Sequence, residues 1–200
     1  MLDADKFEKS IIKEFSRGFI IALEKKQRFS RGHSFSVARI SVEIARALDF
    51  SSFQINRLYI AALLHDIGMI GIEECVINKA GHFSAEDYSI IKRHPLLGEE
   101  IISAVRHLRG IGIIIRQHHE RFDGNGYPDG LAQKEIYTEA GIIALAETLD
   151  CMTARNSYRK PVSKQEAFAE IEKNSGTQFD PDVVKAFFRV SRKCSVYLQT

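Results

Sequence analysis

Two hundred residues, 44% hydrophobic and 27% charged, suffice for one well-buried core and are too ordinary in composition for a disordered chain. Lys and Arg number 28 against 26 Asp and Glu, a formal charge of +2, which argues against a protein that coats a nucleic-acid polymer. Cys75, Cys151 and Cys194 are odd in number, widely spaced and without a CxxC pair, so free or buried thiols in a reducing compartment fit better than disulfides.

No apolar run approaches the roughly 20 residues that cross a bilayer. The run near Ile111 to Ile115 is broken by Arg116. The N-terminus lacks a basic-then-apolar signal pattern. A soluble, cytoplasmic protein with no membrane partner is the expectation.

Residues 3 to 26 carry Phe7, Ile11, Ile12, Phe15, Phe19, Ile20 and Leu23 at helical spacing, an apolar stripe that must pack on this domain, a second copy or another domain. A polar break around Gly32-His33-Ser34 precedes a second helix with Val37, Ile40, Ile44, Ala45 and Leu48 on one face. Asn56 to Leu64 is a third helix that runs into His65-Asp66 and stops at Gly68 and Gly71. Ser84 to Asp87 resembles a capping box, and Pro95 suits the first turn of a helix that continues through Val105.

Ile111 to His119 is helical in pattern. Arg121 to Gln133 is rich in Gly, Asp, Asn and Pro and is a loop. Thr138 to Thr153 is a long apolar helix, Ser163 with Glu166 caps another, and Asp180-Pro181 opens the last. There is no repeat and no strand-like alternation. The expected fold is a single all-α domain.

Five of the seven histidines, His33, His65, His94, His118 and His119, fall where helices begin or end; His82 and His107 do not and read as surface residues. A lone His-Asp step is more often a cap than a ligand. Five buried imidazoles beside Asp66 would each need a polar partner at about 1–3 kcal/mol apiece, whereas a shared divalent metal satisfies them together. An acidic partner from the later helix would be Glu147 or Asp150, which sit at i, i+3, and spacing does not choose between them.

Gly32-His33-Ser34, His65-Asp66-Ile67-Gly68, Arg93-His94-Pro95, His118-His119-Glu120-Arg121-Phe122-Asp123-Gly124-Asn125-Gly126-Tyr127-Pro128 and Gly176-Thr177-Gln178-Phe179-Asp180 follow one another in that order. Together they resemble the HD-GYP family of the HD metal-phosphohydrolase superfamily. The resemblance runs from about Arg28 to Phe188. It implies residues 1–27 as an N-terminal linker or dimer helix, and residues 28–200 as an HD-type bundle of about seven helices. It also implies hydrolysis of cyclic di-GMP to pGpG or GMP through a hydroxide that bridges two divalent transition metals, iron or manganese ahead of zinc, nickel or cobalt.

Carried over by position, the resemblance assigns His33, His65 and Asp66 to one metal and His94, His118 and His119 to the other, with Asp66 as bridge and His65-Asp66 as the catalytic pair. The closing carboxylate falls on Glu147, with Asp150 in reserve. A glutamate that holds a third metal in some members is Phe29 here, so two metals are expected. Met69 and Asn156 stand where the family has a phosphate-binding lysine and arginine. Arg159 is kept, and Arg155, Lys160 and Arg121 are candidates to compensate at the substrate. The loop residues Asp123, Gly124, Gly126, Tyr127 and Pro128 either only fold the loop back or serve substrate access and partner docking. The alternatives are a phosphohydrolase on another cyclic dinucleotide or phosphoester, and a weakly active module that binds a nucleotide or a signalling protein. Cys151, in an apolar helix, is expected to pack.

Overall fold

The computed structural model describes residues 4–26, 32–79, 81–154 and 160–193; the side chains of 4–13, 15, 192 and 193 are outside that description. Its helices are α1 (Ala4–Lys26), α2 (His33–Ala47), α3 (Ser52–Leu64), α4 (Glu74–Ile77), α5 (Ala85–Ile91), α6 (His94–Ser103), α7 (Arg109–Gln117), α8 (Thr138–Thr153), α9 (Lys164–Lys173) and α10 (Pro181–Lys193). Among the described residues there is no strand, only isolated bridges between Asp123 and Ala132 and between Ser175 and Phe179. The described residues form an all-α bundle.

Helix α8 is the axis. Ala140, Ile142, Ile143, Leu145, Ala146 and Leu149 are all within 2% of full burial, so most of its circumference faces other helices. It packs on α2, α7, α9 and α10, and α2 in turn packs on α3 and α10. Each fully buried Ile or Leu contributes about 1.5–3 kcal/mol. Helix α8 carries polar groups inward at Glu139 in its first turn, which pairs with Arg57, and at Glu147 and Asp150 in its last two turns.

Ser84 with Asp87 and Ser163 with Glu166 form the expected capping boxes. Helix α3 starts four residues earlier than its apolar pattern indicates, because Ser51 and Gln54 form a further capping box. The chain after His65-Asp66 does not simply stop. Ile67–Gly71 is a turn of 3₁₀ helix and α4 follows. That turn presses on α6 so closely that a Cβ on Gly68 would lie 1.9 Å from the His94 carbonyl oxygen and 2.5 Å from the Gly98 nitrogen. Only glycine fits there.

The end of α1 is tied to the same segment. The Lys26 ammonium donates to the carbonyls of Ile70 at 2.5 Å and Ile72 at 2.6 Å, and the Asn78 amide donates to the Lys26 carbonyl at 2.9 Å. Ile20 and Leu23 are buried, while Phe19 is 45% exposed, so the apolar stripe is split between core and surface. The side chains of Phe7, Ile11, Ile12 and Phe15 lie outside the described residues. No helix among the described residues is long and apolar enough to cross a membrane.

Candidate metal centre

Helix ends leave backbone carbonyls without an intrahelical partner, and three histidines use them. The Nδ1 of His65 bonds the Ala62 carbonyl at 2.8 Å near the end of α3, and that of His94 bonds Ile91 at 2.8 Å at the end of α5. His118 Nδ1 bonds Ile115 at 2.5 Å at the end of α7. A carbonyl can only accept, so each Nδ1 carries the proton and each Nε2 presents a lone pair. These Nε2 atoms converge. His94 and His118 bring theirs to 3.2 Å, near the roughly 3.4 Å between two nitrogen donors tetrahedrally placed about one ion.

Among the described residues, His94, His118 and His119 form one group of donors and His33, His65 and Asp66 a second. Asp66 stands between them, Oδ2 at 3.5 Å from His65 Nε2 and Oδ1 at 3.4 Å from His94 Nε2. His65 Nε2 is wholly buried and has no hydrogen-bond partner among the described residues. Leaving such a group unsatisfied costs about 1–3 kcal/mol, and a cation at the convergence point removes that cost. The donor set of imidazoles and carboxylate, lone pairs inward, fits divalent transition metals.

The two carboxylates of α8 part company. Asp150 Oδ2 lies 2.7 Å from His33 Nδ1, which turns the other ring nitrogen of His33 toward the centre, the outer-carboxylate arrangement common around metal-binding histidines. Glu147 Oε1 lies 3.9 Å from His119 Nε2, and its carboxylate also falls in one group with His33 and Cys151. Glu147 therefore faces the histidines, and Asp150 braces one of them.

Burial, helped by neighbouring histidines, holds His118 and His119 well below the usual imidazole range, and burial also lowers His65 and His94. Burial acts to raise Asp66, but His65, His94, His33 and His119 outweigh it and hold the carboxyl at about 2. Burial acts to lower His33, yet the Asp150 hydrogen bond and the charges of Asp66, Glu147 and Asp150 lift it to about 9. Glu147 is pushed up to about 8 by burial and by Asp66 and Asp150.

At pH 7 the metal-free protein thus carries protons on His33 and Glu147 that an incoming cation must displace. Affinity for Mn²⁺ is expected to rise with pH toward about 9, by about tenfold per pH unit for each proton released. Calorimetric titrations over that range check it, and a pH-independent affinity would contradict it.

The Arg121–Gln133 loop closes over this site. Tyr127 stacks on His119, ring centres 4.8 Å apart and 25° between planes, with its peptide nitrogen 3.2 Å from the His119 carbonyl. The Tyr127–Pro128 peptide is cis. The buried Glu120 carboxylate accepts from the nitrogens of Asp129, Gly130 and Leu131 at 2.7, 3.2 and 3.1 Å. Arg116 grips Asp129 through Nε and Nη2 at 2.6 and 2.7 Å and Glu99 through Nη1 at 2.6 Å. Asp123 Oδ1 accepts from the Asn125 nitrogen at 3.0 Å, and Gly124 takes φ 78°. A Cβ on Gly126 would meet the Arg121 nitrogen at 2.3 Å. The Asp123 nitrogen donates to Thr177 at 2.8 Å, which explains the Gly176–Asp180 motif as the far wall of the loop.

Of the expected substrate contacts, Arg121 is engaged by Asp123 at 2.8 and 3.1 Å, Lys160 is exposed, and Arg155, Asn156 and Arg159 lie outside the described residues. Met69 is satisfied where it stands, packed with Ile72, Val76, Ile77, Ile90, Ile91 and Leu97 in a satellite core. Lys92 was not singled out by sequence, although it stands two residues before His94. Its ammonium lies 5.3 Å from the centre of the Tyr127 ring. Cys151 corrects an expectation: it is exposed rather than packed in the core, with its thiol turned to His33 and Glu147.

An HD domain family model matches residues 19–183. The chain belongs to the HD domain family. Its motifs make it an HD-GYP member, and HD domains of this kind imply divalent-metal binding, for which the two histidine groups are the candidate site. A cyclic di-GMP phosphodiesterase of Thermotoga maritima is 37% identical over 163 residues, 80% of this chain and 44% of that protein. The cyclic di-GMP phosphodiesterase response regulator RpfG of Xanthomonas campestris is 35% identical over 148 residues, 73% of this chain and 39% of the relative. This HD domain chain therefore spans less than half the length of these curated relatives. In structure it is similar to a cyclic GMP-AMP specific phosphodiesterase of V. cholerae, with a TM-score of 0.69 at 21% identity over 90% of this chain and 49% of that one, a likeness of fold.

Proposed function

We propose that the chain is a metal-dependent phosphodiesterase that hydrolyses cyclic di-GMP to the linear dinucleotide or to GMP. The observation that carries this reading is Asp66, one carboxylate oxygen toward each of two histidine groups in which the Nε2 atoms of His65, His94 and His118 have inward lone pairs. In this reading His33, His65, Asp66 and Glu147 hold one ion and Asp66, His94, His118 and His119 the other. Such a pair, iron or manganese by the family resemblance, would supply a water ionised near neutral pH and charge to offset the phosphate.

The side chains do the rest. Asp150 orients His33. The carbonyls of Ala62, Ile91 and Ile115 hold three rings in one tautomer. Tyr127, fixed by Glu120 and Arg116 through the loop, shields one face of His119 from water and offers a flat surface to a base. The relatives' names supply the substrate class. The free, exposed thiol of Cys75 suits a reducing, cytoplasmic setting.

With Met69 half-buried against its own apolar cluster, Lys92 is the cation that takes up the phosphodiester charge. Lys92→Ala is expected to raise KM for cyclic di-GMP about fivefold with kcat little changed, the size of an ionic contact that stays partly in water. An unchanged KM removes Lys92 from the account. The reading as a whole is tested by incubating Mn²⁺-loaded protein with cyclic di-GMP, cyclic di-AMP and cyclic GMP-AMP and following the products by chromatography. Linear products that need the metal support it. Metal-loaded, folded protein that leaves all three intact overturns it.

A further inference from the structure

Helix α8 carries Glu147 and Cys151 at i, i+4, one above the other on the face that meets the start of α2. A ring nitrogen of His33, a carboxylate oxygen of Glu147 and the Cys151 sulfur all lie within 4.8 Å of one another. Nitrogen or oxygen at about 2.1 Å and sulfur at about 2.3 Å from one ion stand at most about 4.4 Å apart. The group is therefore within a small side-chain adjustment of common ligation. Because Asp150 holds His33 Nδ1, the free donor of that ring is Nε2.

The same ion would be shared with the neighbouring group through His33. His33 also belongs to the group that contains His65, whose Nε2 is fully buried and unpartnered. Cys151 is exposed as a residue, while burial and the carboxylates of Glu147, Asp150 and Asp66 push its thiol up, so the free protein keeps the S–H proton until an ion displaces it. Cys75, by contrast, is near no such group; its sulfur faces Glu73 at 3.5 Å.

We propose that Cys151 is a thiolate ligand of the ion held at His33 and Glu147, an assignment that rests on the metal-centre reading above. On binding, the S–H bond breaks, its proton passes to solvent, and the sulfur lone pair forms the bond to the ion; no electron is transferred. The two halves of the centre then differ in kind. His94, His118 and His119 with Asp66 offer nitrogen and oxygen, whereas the Cys151 half adds soft sulfur and favours thiophilic ions such as Zn²⁺, Co²⁺ or Cd²⁺.

The test is Co²⁺ titration of the whole chain after removal of metal, read by absorption. Wild-type protein is expected to show visible ligand-field bands and a sulfur-to-cobalt charge-transfer band in the near ultraviolet. Cys151→Ser is expected to lose the near-ultraviolet band and keep the visible ones, and Cys75→Ser to keep both. Visible bands without charge transfer in the wild type overturn the thiolate ligand and leave the metal centre standing. So does a charge-transfer band that survives Cys151→Ser. If no visible bands develop at all, the metal centre falls and the thiolate ligand falls with it.

Discussion

Asp66→Ala is expected to lower cyclic di-GMP turnover by at least about a thousandfold, about 4 kcal/mol of transition-state stabilisation, and to drop bound metal below one ion per chain. Asp66 is placed unlike any other side chain in the site, with an oxygen 3.5 Å from His65 Nε2 and the other 3.4 Å from His94 Nε2. His33, His65, His94 and His119 all act to lower its carboxyl, so it is the anion around which the imidazoles are arranged. Alanine removes that charge from both halves at once. The helix packing does not depend on it, so circular dichroism should be unchanged. Metal content and turnover equal to wild type would show Asp66 to be an ordinary cap.

Gly68→Ala is expected to destabilise the protein by about 3 kcal/mol, the upper part of the usual overpacking cost, and to lower Tm by about 6–12 °C. The new methyl group would lie 1.9 Å from the His94 carbonyl oxygen and 2.5 Å from the Gly98 nitrogen. Both are backbone atoms that cannot swing aside as a side chain does. The Ile67–Gly71 turn must separate from α6, and His94 moves with it. Loss of metal from the His94 half should therefore accompany the lower Tm in a thermal melt run with and without Mn²⁺. Gly141→Ala in α8, where a Cβ would meet nothing within 4 Å, is the control and should be neutral or slightly stabilising. Equal melting temperatures for the two variants would contradict the close approach.

The parts of this molecule legible in its sequence are those written in short range. Capping boxes at Ser84 and Ser163 and the apolar run of Thr138 to Thr153 mark helices, because a cap or a buried face is settled within a few residues. The histidines stand out for the same reason: His65, His94 and His118 each bond a carbonyl three residues back, so each belongs to a helix end. Contacts between distant residues could not be read in this way. Lys26 capping Ile70 and Ile72, Lys92 over Tyr127, and the packing of Met69 against its own cluster all join separate elements.

The choice between Glu147 and Asp150 was of the same kind. At i, i+3 they share a face, and only the position of His33 Nδ1, 2.7 Å from Asp150, separates brace from candidate ligand. Cys151 misled because the residues around it are apolar, although its i, i+4 relation to Glu147 was visible in the chain.

The most direct test of the central claim is a metal count on protein purified without chelators and reloaded with Mn²⁺, paired with cyclic di-GMP turnover before and after chelation. The account predicts about two ions per chain, shared through Asp66, and turnover that disappears with them and returns on reloading. A folded protein that binds less than one ion, or that hydrolyses cyclic di-GMP equally well without metal, would contradict it.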